Sequence, residues 1–189
     1  MARPEKTAHS RRSRRGFTLL EVMISVLLLV IGIAGISRLT VGITRAGNLQ
    51  RETERATEGA RATIERIKCV AFSQAFRSYN ATGLDDPGIP GTAPGANFAV
   101  PGLRAAPDDA DSLCGEIIFP TAPDHPEQLR ENVDDPKIGM PRDLNGDGAI
   151  DSVSHHDNYK LLPVRVRVVW QSVDGTIGTV ELKTNLANY

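Results

Sequence analysis

The sequence contains little cysteine and has a long stretch without proline. Cys69 and Cys114 are its only cysteines, and neither belongs to a Cys-x-x-Cys pair, which argues against a cysteine-based metal site. No proline occurs between residues 17 and 76. One helix of about sixty residues, roughly 90 Å long, can therefore form over this stretch.

Negative charge is scarce in the first sixteen residues and dominates the rest. Residues 1–16 contain six Lys or Arg against one Glu, whereas the remainder contains sixteen basic and twenty-two acidic residues. Because this acidic body repels phosphates, we expect it not to bind nucleic acid. The basic segment 11–15, RRSRR, could be a nuclear signal, but beside an apolar run it is more typical of the cytoplasmic end of a membrane helix.

The run from residue 17 to residue 36 is largely apolar, and Glu21 is its only charged residue. A helix of about 20 residues spans a hydrocarbon core of ~30 Å, so we expect one membrane helix with a cytoplasmic N-terminus. A carboxylate within the bilayer costs ~2.5–3.5 kcal/mol, which makes Glu21 a functional candidate. The alternative is that Glu21 lies shallow enough to reach water.

The residues around Glu21 form a specific motif. After the basic leader, residues 16–21, GFTLLE, resemble the class III signal of type IV pilins and type II secretion pseudopilins. The resemblance implies that a membrane aspartyl prepilin peptidase cuts between Gly16 and Phe17 and then methylates the new amine of Phe17. It also implies that the Glu21 carboxylate pairs with this amine on a neighbouring subunit, where a low dielectric strengthens the attraction.

The chain beyond the membrane segment predicts a helix followed by a sheet. Apolar residues recur at three- and four-residue steps with charged residues on the other faces, which indicates an amphipathic helix over 45–78. A coiled coil is the weaker alternative because the apolar stripe is rich in alanine. Over 161–187, apolar and charged residues alternate on both sides of Asp174-Gly175, which predicts a β-hairpin that packs on the helix.

These elements resemble a pilin-like α+β fold, in which a long N-terminal helix packs on a small antiparallel sheet. The final hairpin is similar to that of PilV-type minor pilins. Major pilins usually carry a proline near the position of residues 37–39, whereas the sequence here is Ser-Arg-Leu, as is more typical of minor pilins and pseudopilins.

Four segments make up the predicted organisation. They are a cleaved leader (1–16), a membrane and filament-core helix (17–44), an amphipathic helix (45–78) and a periplasmic β domain (79–189) that ends in the hairpin. Within the β domain, the segment 80–157 is acidic and rich in Gly and Pro, so we expect it to form a mostly irregular, exposed insertion.

The two cysteines are predicted to pair. Cys69 lies near the end of the long helix and Cys114 at the start of an internal strand, two elements expected to pack together in an oxidising periplasm. Closing a loop of about 45 residues would stabilise the fold by roughly 4 kcal/mol in the chain-entropy description. The alternative is two separately buried thiols.

Residues 143–151, DLNGDGAID, place oxygen-bearing side chains at alternate positions, an arrangement that suits a hard cation. The segment resembles the first nine positions of an EF-hand or dockerin-type calcium loop, with Gly148 at the sharp turn. The twelfth position is Ser154 rather than an acid, so Asp134, Asp135 or Asp157 would have to complete the shell. The alternative is an acidic turn without an ion. The predicted ligands of a structural Ca²⁺ are Asp143, Asn145, Asp147, Ala149 and Asp151.

The histidines do not predict an enzyme. His125 and the pair His155-His156 lack the i, i+4 spacing of a helical zinc site, and no nucleophile motif accompanies them. We therefore expect histidines at the surface, no catalytic residues and no required cofactor.

The resemblance predicts a bacterial minor pilin that belongs to the priming or tip complex of a type IV pilus. Such a filament serves adhesion and twitching motility. The partners of this pilin would be the prepilin peptidase, other minor and major pilins and the inner-membrane assembly platform. The chain would first be a single-pass inner-membrane protein with a periplasmic C-terminal domain, and later part of the surface pilus. The alternatives are a type II secretion pseudopilin and a membrane-anchored, calcium-binding module or enzyme that never polymerises.

Overall fold

The computed structural model describes residues 18–188 and divides the chain into two compact units, Met1–Thr44 and Arg45–Tyr189. Helix α1, Leu19–Cys69, contributes to both units. In the first unit the apolar side chains of α1 are exposed, and this part of the helix is long and apolar enough to cross a membrane. The arrangement of a long helix and an antiparallel sheet confirms the predicted pilin-like α+β fold.

Hydroxyl groups in the apolar part of α1 are bonded within the helix. Ser25 Oγ donates to the carbonyl of Glu21 at 2.7 Å, and Ser37, Thr40 and Thr44 each donate to the carbonyl four residues earlier. Such back-bonding gives each hydroxyl hydrogen an acceptor without water. The helix therefore exposes mainly hydrocarbon, as a membrane segment requires.

The second unit packs the remainder of α1 and a short helix α2, Phe72–Tyr79, with a four-stranded antiparallel sheet in one core. The sheet order is β1-β2-β5-β6, which leaves β6 at an edge, and β3 and β4 form a separate pair. The strands are β1 Asn97–Phe98, β2 Gly115–Ile118, β3 Thr121–Ala122, β4 His125–Leu129, β5 Leu161–Gln171 and β6 Ile177–Ala187; a 3-10 turn covers Pro136–Ile138.

The alternation in β5 determines which side chains enter the core. Every second residue from Leu162 to Trp170 is fully buried beside Ala56, Ala60 and Ile67 of α1. The indole Nε1 of Trp170 donates to Glu52 Oε2 at 3.1 Å, so the one buried carboxylate of α1 has a partner on the sheet. This bond joins the helix to the end of β5, an inner strand of the sheet.

The opposite face of the sheet carries ion pairs. Arg165 contacts Asp135 at 3.0 Å and Glu181 at 3.6 Å, and Lys137 Nζ lies 3.1 Å from Glu181. Burial by itself raises the pKa of Glu181, but these neighbouring cations outweigh it and hold the pKa below its usual value. The turn at Pro136–Ile138 is thereby fastened to β5 and β6.

The segment 80–157 is less exposed than its composition predicts. It supplies β1 to β4 and places several side chains in the core, among them Val100, Leu129 and Leu144. The expectation of a mostly exposed insertion is wrong for these residues, because scattered apolar residues without periodicity gave no sign of where the loops fold back.

Gly178 lies opposite Trp170 in the β5–β6 register, and a Cβ at this position would overlap the buried indole ring. Replacing Gly178 with alanine should therefore lower the free energy of unfolding by about 1–3 kcal/mol, the usual cost of overpacking. Urea unfolding followed by the fluorescence of Trp170, the chain's single tryptophan, measures this effect. The exposed neighbour Thr179 is the control, since Thr179→Ala should change stability by only about 0.5 kcal/mol or less; equal effects would contradict the prediction.

Candidate functional site

The first described turn of α1 is capped by its own sequence. Thr18 Oγ1 accepts a hydrogen bond from the backbone N–H of Glu21 at 3.2 Å, the contact that an N-cap threonine makes with the third helical residue. Thr18 and Glu21 also have the spacing of a capping box, which the sequence interpretation missed. The helix thus begins at Leu19, directly after Thr18, the first residue that the structure describes. Gly16 and Phe17 themselves lie outside the described residues.

Glu21 is exposed on the first turn of a helix whose surrounding surface is apolar. Large hydrophobic side chains cover the helix around and after it, with about half to three-quarters of their area accessible in the single chain. Apolar surface of this extent requires lipid or other apolar helices around it. The carboxylate therefore lies where a cationic partner would have a strong effect. The exposed side chains are Leu19, Leu20, Val22, Met23, Ile24, Val26, Leu27, Leu28, Leu29, Val30, Ile31, Ile33, Ile36, Leu39, Val41 and Ile43.

Comparison with protein families identifies this end of the chain. The family model of the prokaryotic N-terminal methylation motif matches residues 11–37. The chain carries the N-terminal signal of type IV pilin-like proteins. The match includes Gly16, Phe17 and Glu21, and it supports membrane anchoring through this end of the chain and processing by prepilin peptidase. Comparison with curated proteins and with solved structures gives no match.

The predicted disulfide is not formed in the structure. Both cysteines are free thiols, with Cys69 exposed and Cys114 buried. Cys114 Sγ lies 3.3 Å from the backbone N of Val100, which donates to it, so this thiol is held inside the core. Cys69 is the last residue of α1 and remains at the surface. The expected approach of helix end and strand start therefore does not bring the sulfur atoms together.

The predicted calcium loop is organised by hydrogen bonds between its side chains and its backbone. Asp143 accepts from the N–H groups of Gly146 at 2.6 Å and Gly148 at 2.8 Å. Asn145 Oδ1 accepts from Asp147 N, and Asp147 Oδ1 accepts from Ala149 N, both at 2.8 Å. Gly146 and Gly148 both have positive φ, a conformation that glycine adopts at little cost. The alternating oxygens hence shape the turn by accepting hydrogen bonds from its own backbone.

Glu131 is a buried residue of this region that the sequence interpretation missed. Its side chain is 1% exposed and accepts three backbone N–H groups from the calcium-loop segment. Oε1 accepts hydrogen bonds from the N–H groups of Leu144 at 2.7 Å and Asn145 at 3.2 Å. Oε2 accepts one from the N–H of Asp151 at 3.3 Å. A buried carboxylate requires such partners. Glu131 therefore anchors the loop to the end of β4.

His155 is buried, which corrects the expectation that the loop histidines lie at the surface; His125 remains exposed. His155 Nε2 lies 3.0 Å from Asp151 Oδ1 and 3.7 Å from Glu131 Oε2, and its Nδ1 lies 3.2 Å from Asn158 Oδ1. Burial lowers the pKa of His155, but the bonds to Asp151 and Asn158 and the charge of Glu131 outweigh it, so the pKa is raised.

The predicted calcium ligands are only partly brought together. The side chain of Asp151 lies in a group with Glu131 and His155, and this group does not include Asp143 or Asp147. Of the acids considered for completing the shell, Asp135 pairs with Arg165 and Asp157 with Arg77. Calcium binding by residues 143–151 stays a prediction.

A calcium titration of the full-length protein in detergent tests this prediction. One Ca²⁺ per chain should bind, and Asp143→Asn should weaken binding at least about tenfold because a charged oxygen ligand becomes neutral. Asp174→Asn is a matched control, since Asp174 accepts the N–H of Thr176 in an exposed turn outside the loop. Isothermal calorimetry and native mass spectrometry measure affinity and stoichiometry. No uptake at millimolar calcium would end the calcium hypothesis.

Proposed function

We propose that this chain is a minor pilin, most similar to the PilV type, that is processed between Gly16 and Phe17 and incorporated into a type IV pilus. The observation that carries the proposal is the methylation motif over residues 11–37 at the start of a helix with an exposed apolar surface. Its function would be structural rather than catalytic: it would join a small priming or tip complex to which major subunits are added.

Helix α1 would have two roles, first as a membrane anchor and later as part of the filament core. In the membrane, the exposed apolar surface of α1 is covered by lipid, and the carboxylate of Glu21 costs ~2.5–3.5 kcal/mol. In a filament, neighbouring helices replace the lipid, and the terminal amine of Phe17 on another subunit neutralises Glu21. Since an unpaired charge in such surroundings is strongly unfavourable, pairing would favour one register of subunits.

The proposed topology follows from charge. The basic residues before the apolar run, six Lys or Arg among the first sixteen, favour a cytoplasmic N-terminus. The second unit would then lie in the periplasm until the filament carries it to the cell surface. Its partners would be the prepilin peptidase, other minor and major pilins, and the inner-membrane assembly platform.

Cell fractionation tests the proposal. An epitope-tagged chain should appear in sheared surface filaments, at lower abundance than the major subunit, and should co-purify with pilus components. Co-purification with secretion components instead would favour the alternative of a type II secretion pseudopilin. Retention in the membrane without either set of components would overturn both filament proposals and favour a non-polymerising module or enzyme.

A further inference from the structure

Glu131, Asp151 and His155 form a mixed carboxylate and imidazole cluster in the second unit. One ligand atom of each residue lies within 4.8 Å of the other two. The side chains of Glu131 and His155 are almost fully buried, while that of Asp151 is 43% exposed. We propose that this cluster binds a divalent transition-metal ion of the zinc class, with Asp151 at the entrance.

The donor atoms favour zinc over calcium. Zn²⁺ and similar ions bind both imidazole nitrogens and carboxylate oxygens, and three protein ligands leave a position for water. Calcium prefers oxygen ligands throughout and takes more of them. The proposed site is thus chemically different from the calcium loop, although Asp151 belongs to both sets.

The separations suit one small ion. Two ligands on a tetrahedral zinc with bonds of about 2.0–2.1 Å lie roughly 3.3 Å apart. His155 Nε2 lies 3.0 Å from Asp151 Oδ1 and 3.7 Å from Glu131 Oε2, on either side of that value. Small side-chain adjustments would therefore bring three donors onto a common centre.

The carboxylates have lone pairs to offer. Glu131 Oε2 accepts one long bond, from Asp151 N at 3.3 Å, so a second lone pair remains. Asp151 Oδ1 accepts the N–H of Val153 at 2.8 Å, while Oδ2 accepts no hydrogen bond from the residues that the structure describes. A metal ion would thus not have to displace the bonds that fold the loop.

The orientation of His155 is fixed from its other nitrogen. Asn158 Oδ1 lies 3.2 Å from Nδ1. In the tautomer that carries a hydrogen on Nδ1, this oxygen accepts a hydrogen bond from Nδ1–H, and Nε2 then faces the two carboxylates. The amide of Asn145 lies 3.3 Å from the same Nδ1, but its shorter bond, 2.9 Å, goes to Asp147. Without metal, Nε2–H donates to Asp151; on binding, the ion takes the position of that proton, which is released to solvent.

Zinc titration of the full-length protein in detergent, after removal of metals with a chelator, tests the proposal. Calorimetry and native mass spectrometry should show one Zn²⁺ per chain, and His155→Gln and Asp151→Asn should each weaken binding at least about tenfold. The adjacent His156→Gln and Asp157→Asn are matched controls and should bind as the wild type does.

Two further readouts keep the result unambiguous. Trp170 fluorescence shows whether each variant has folded. If His155→Gln does not fold, the zinc affinity of Asp151→Asn, a change at the exposed edge of the cluster, tests the proposal instead. Co²⁺ in place of zinc should give the visible absorption of a four-coordinate site, which His155→Gln should abolish. No saturable zinc binding by the wild type, wild-type binding by His155→Gln, or equal loss in His156→Gln would each overturn the proposal. None of these measurements requires a filament.

Discussion

Chains with leucine in place of Gly16 should remain at the mass of the unprocessed precursor. The proposed cut lies directly after Gly16, and a peptidase site that fits the bare backbone closely has no room for a branched side chain. Overpacking such a site costs about 1–3 kcal/mol, so the rate of processing should fall roughly five- to a hundredfold. Intact-mass spectrometry of membrane fractions measures both the loss of residues 1–16 and the added methyl group on Phe17.

A matched variant distinguishes an effect at the cleavage site from an effect of any added side chain in the leader. Ser13→Leu adds a similar side chain three residues earlier and should leave processing unchanged. If Gly16→Leu yielded the same mass, location and function as the wild type, prepilin processing at this position would be excluded. The retained leader would also keep its six basic residues next to the helix, so we expect the uncut chain to be absent from filaments.

Glu21→Ala should leave membrane insertion intact while sharply reducing incorporation into filaments. Insertion should persist because the change removes a carboxylate that costs ~2.5–3.5 kcal/mol in the bilayer. Incorporation should fall because the terminal amine of a neighbouring Phe17 loses its partner, a defect of about 3–5 kcal/mol, or roughly a hundredfold or more. The ratio of chain in sheared filaments to chain in membranes measures the effect.

Ser25→Ala is the control for this change. Ser25 lies one turn after Glu21 and uses its hydroxyl within its own helix, at 2.7 Å from the Glu21 carbonyl, so its loss should leave incorporation near the wild-type level. Mass spectrometry should show both variants processed, which separates assembly from cleavage. Normal incorporation of Glu21→Ala would contradict the proposed contact.

Strongly periodic segments were predictable from the sequence. The alternation from Leu162 to Trp170 specified a strand with one buried face, and Asp174-Gly175 specified its turn, where Gly175 has a φ of 86°. The residues around Glu21 gave a local motif that needs no tertiary information. In each case the signal lies within a few neighbouring residues, so the sequence contains it completely.

The cluster around His155 was not predictable in the same way. Glu131 is one acid among many in its segment, and its burial arises only when the chain folds back, with His155 N donating to Leu129 O at 2.7 Å and Arg142 N to Glu131 O at 3.1 Å. Such contacts between distant residues have no periodicity. The pairing of Cys69 with Cys114, which the structure does not form, is likewise not specified by local sequence. It depends on how the end of α1 approaches the start of β2.

The edge position of β6 makes aggregation a specific hazard for this protein. Eleven residues of this strand pair with β5 on one side, and an unpaired strand edge is a template for further strands. The exposed Lys183 near the middle of β6 opposes such stacking, because a second strand would have to desolvate its charge. Soluble versions of this protein should therefore keep Lys183, because a neutral residue there would favour insoluble assemblies.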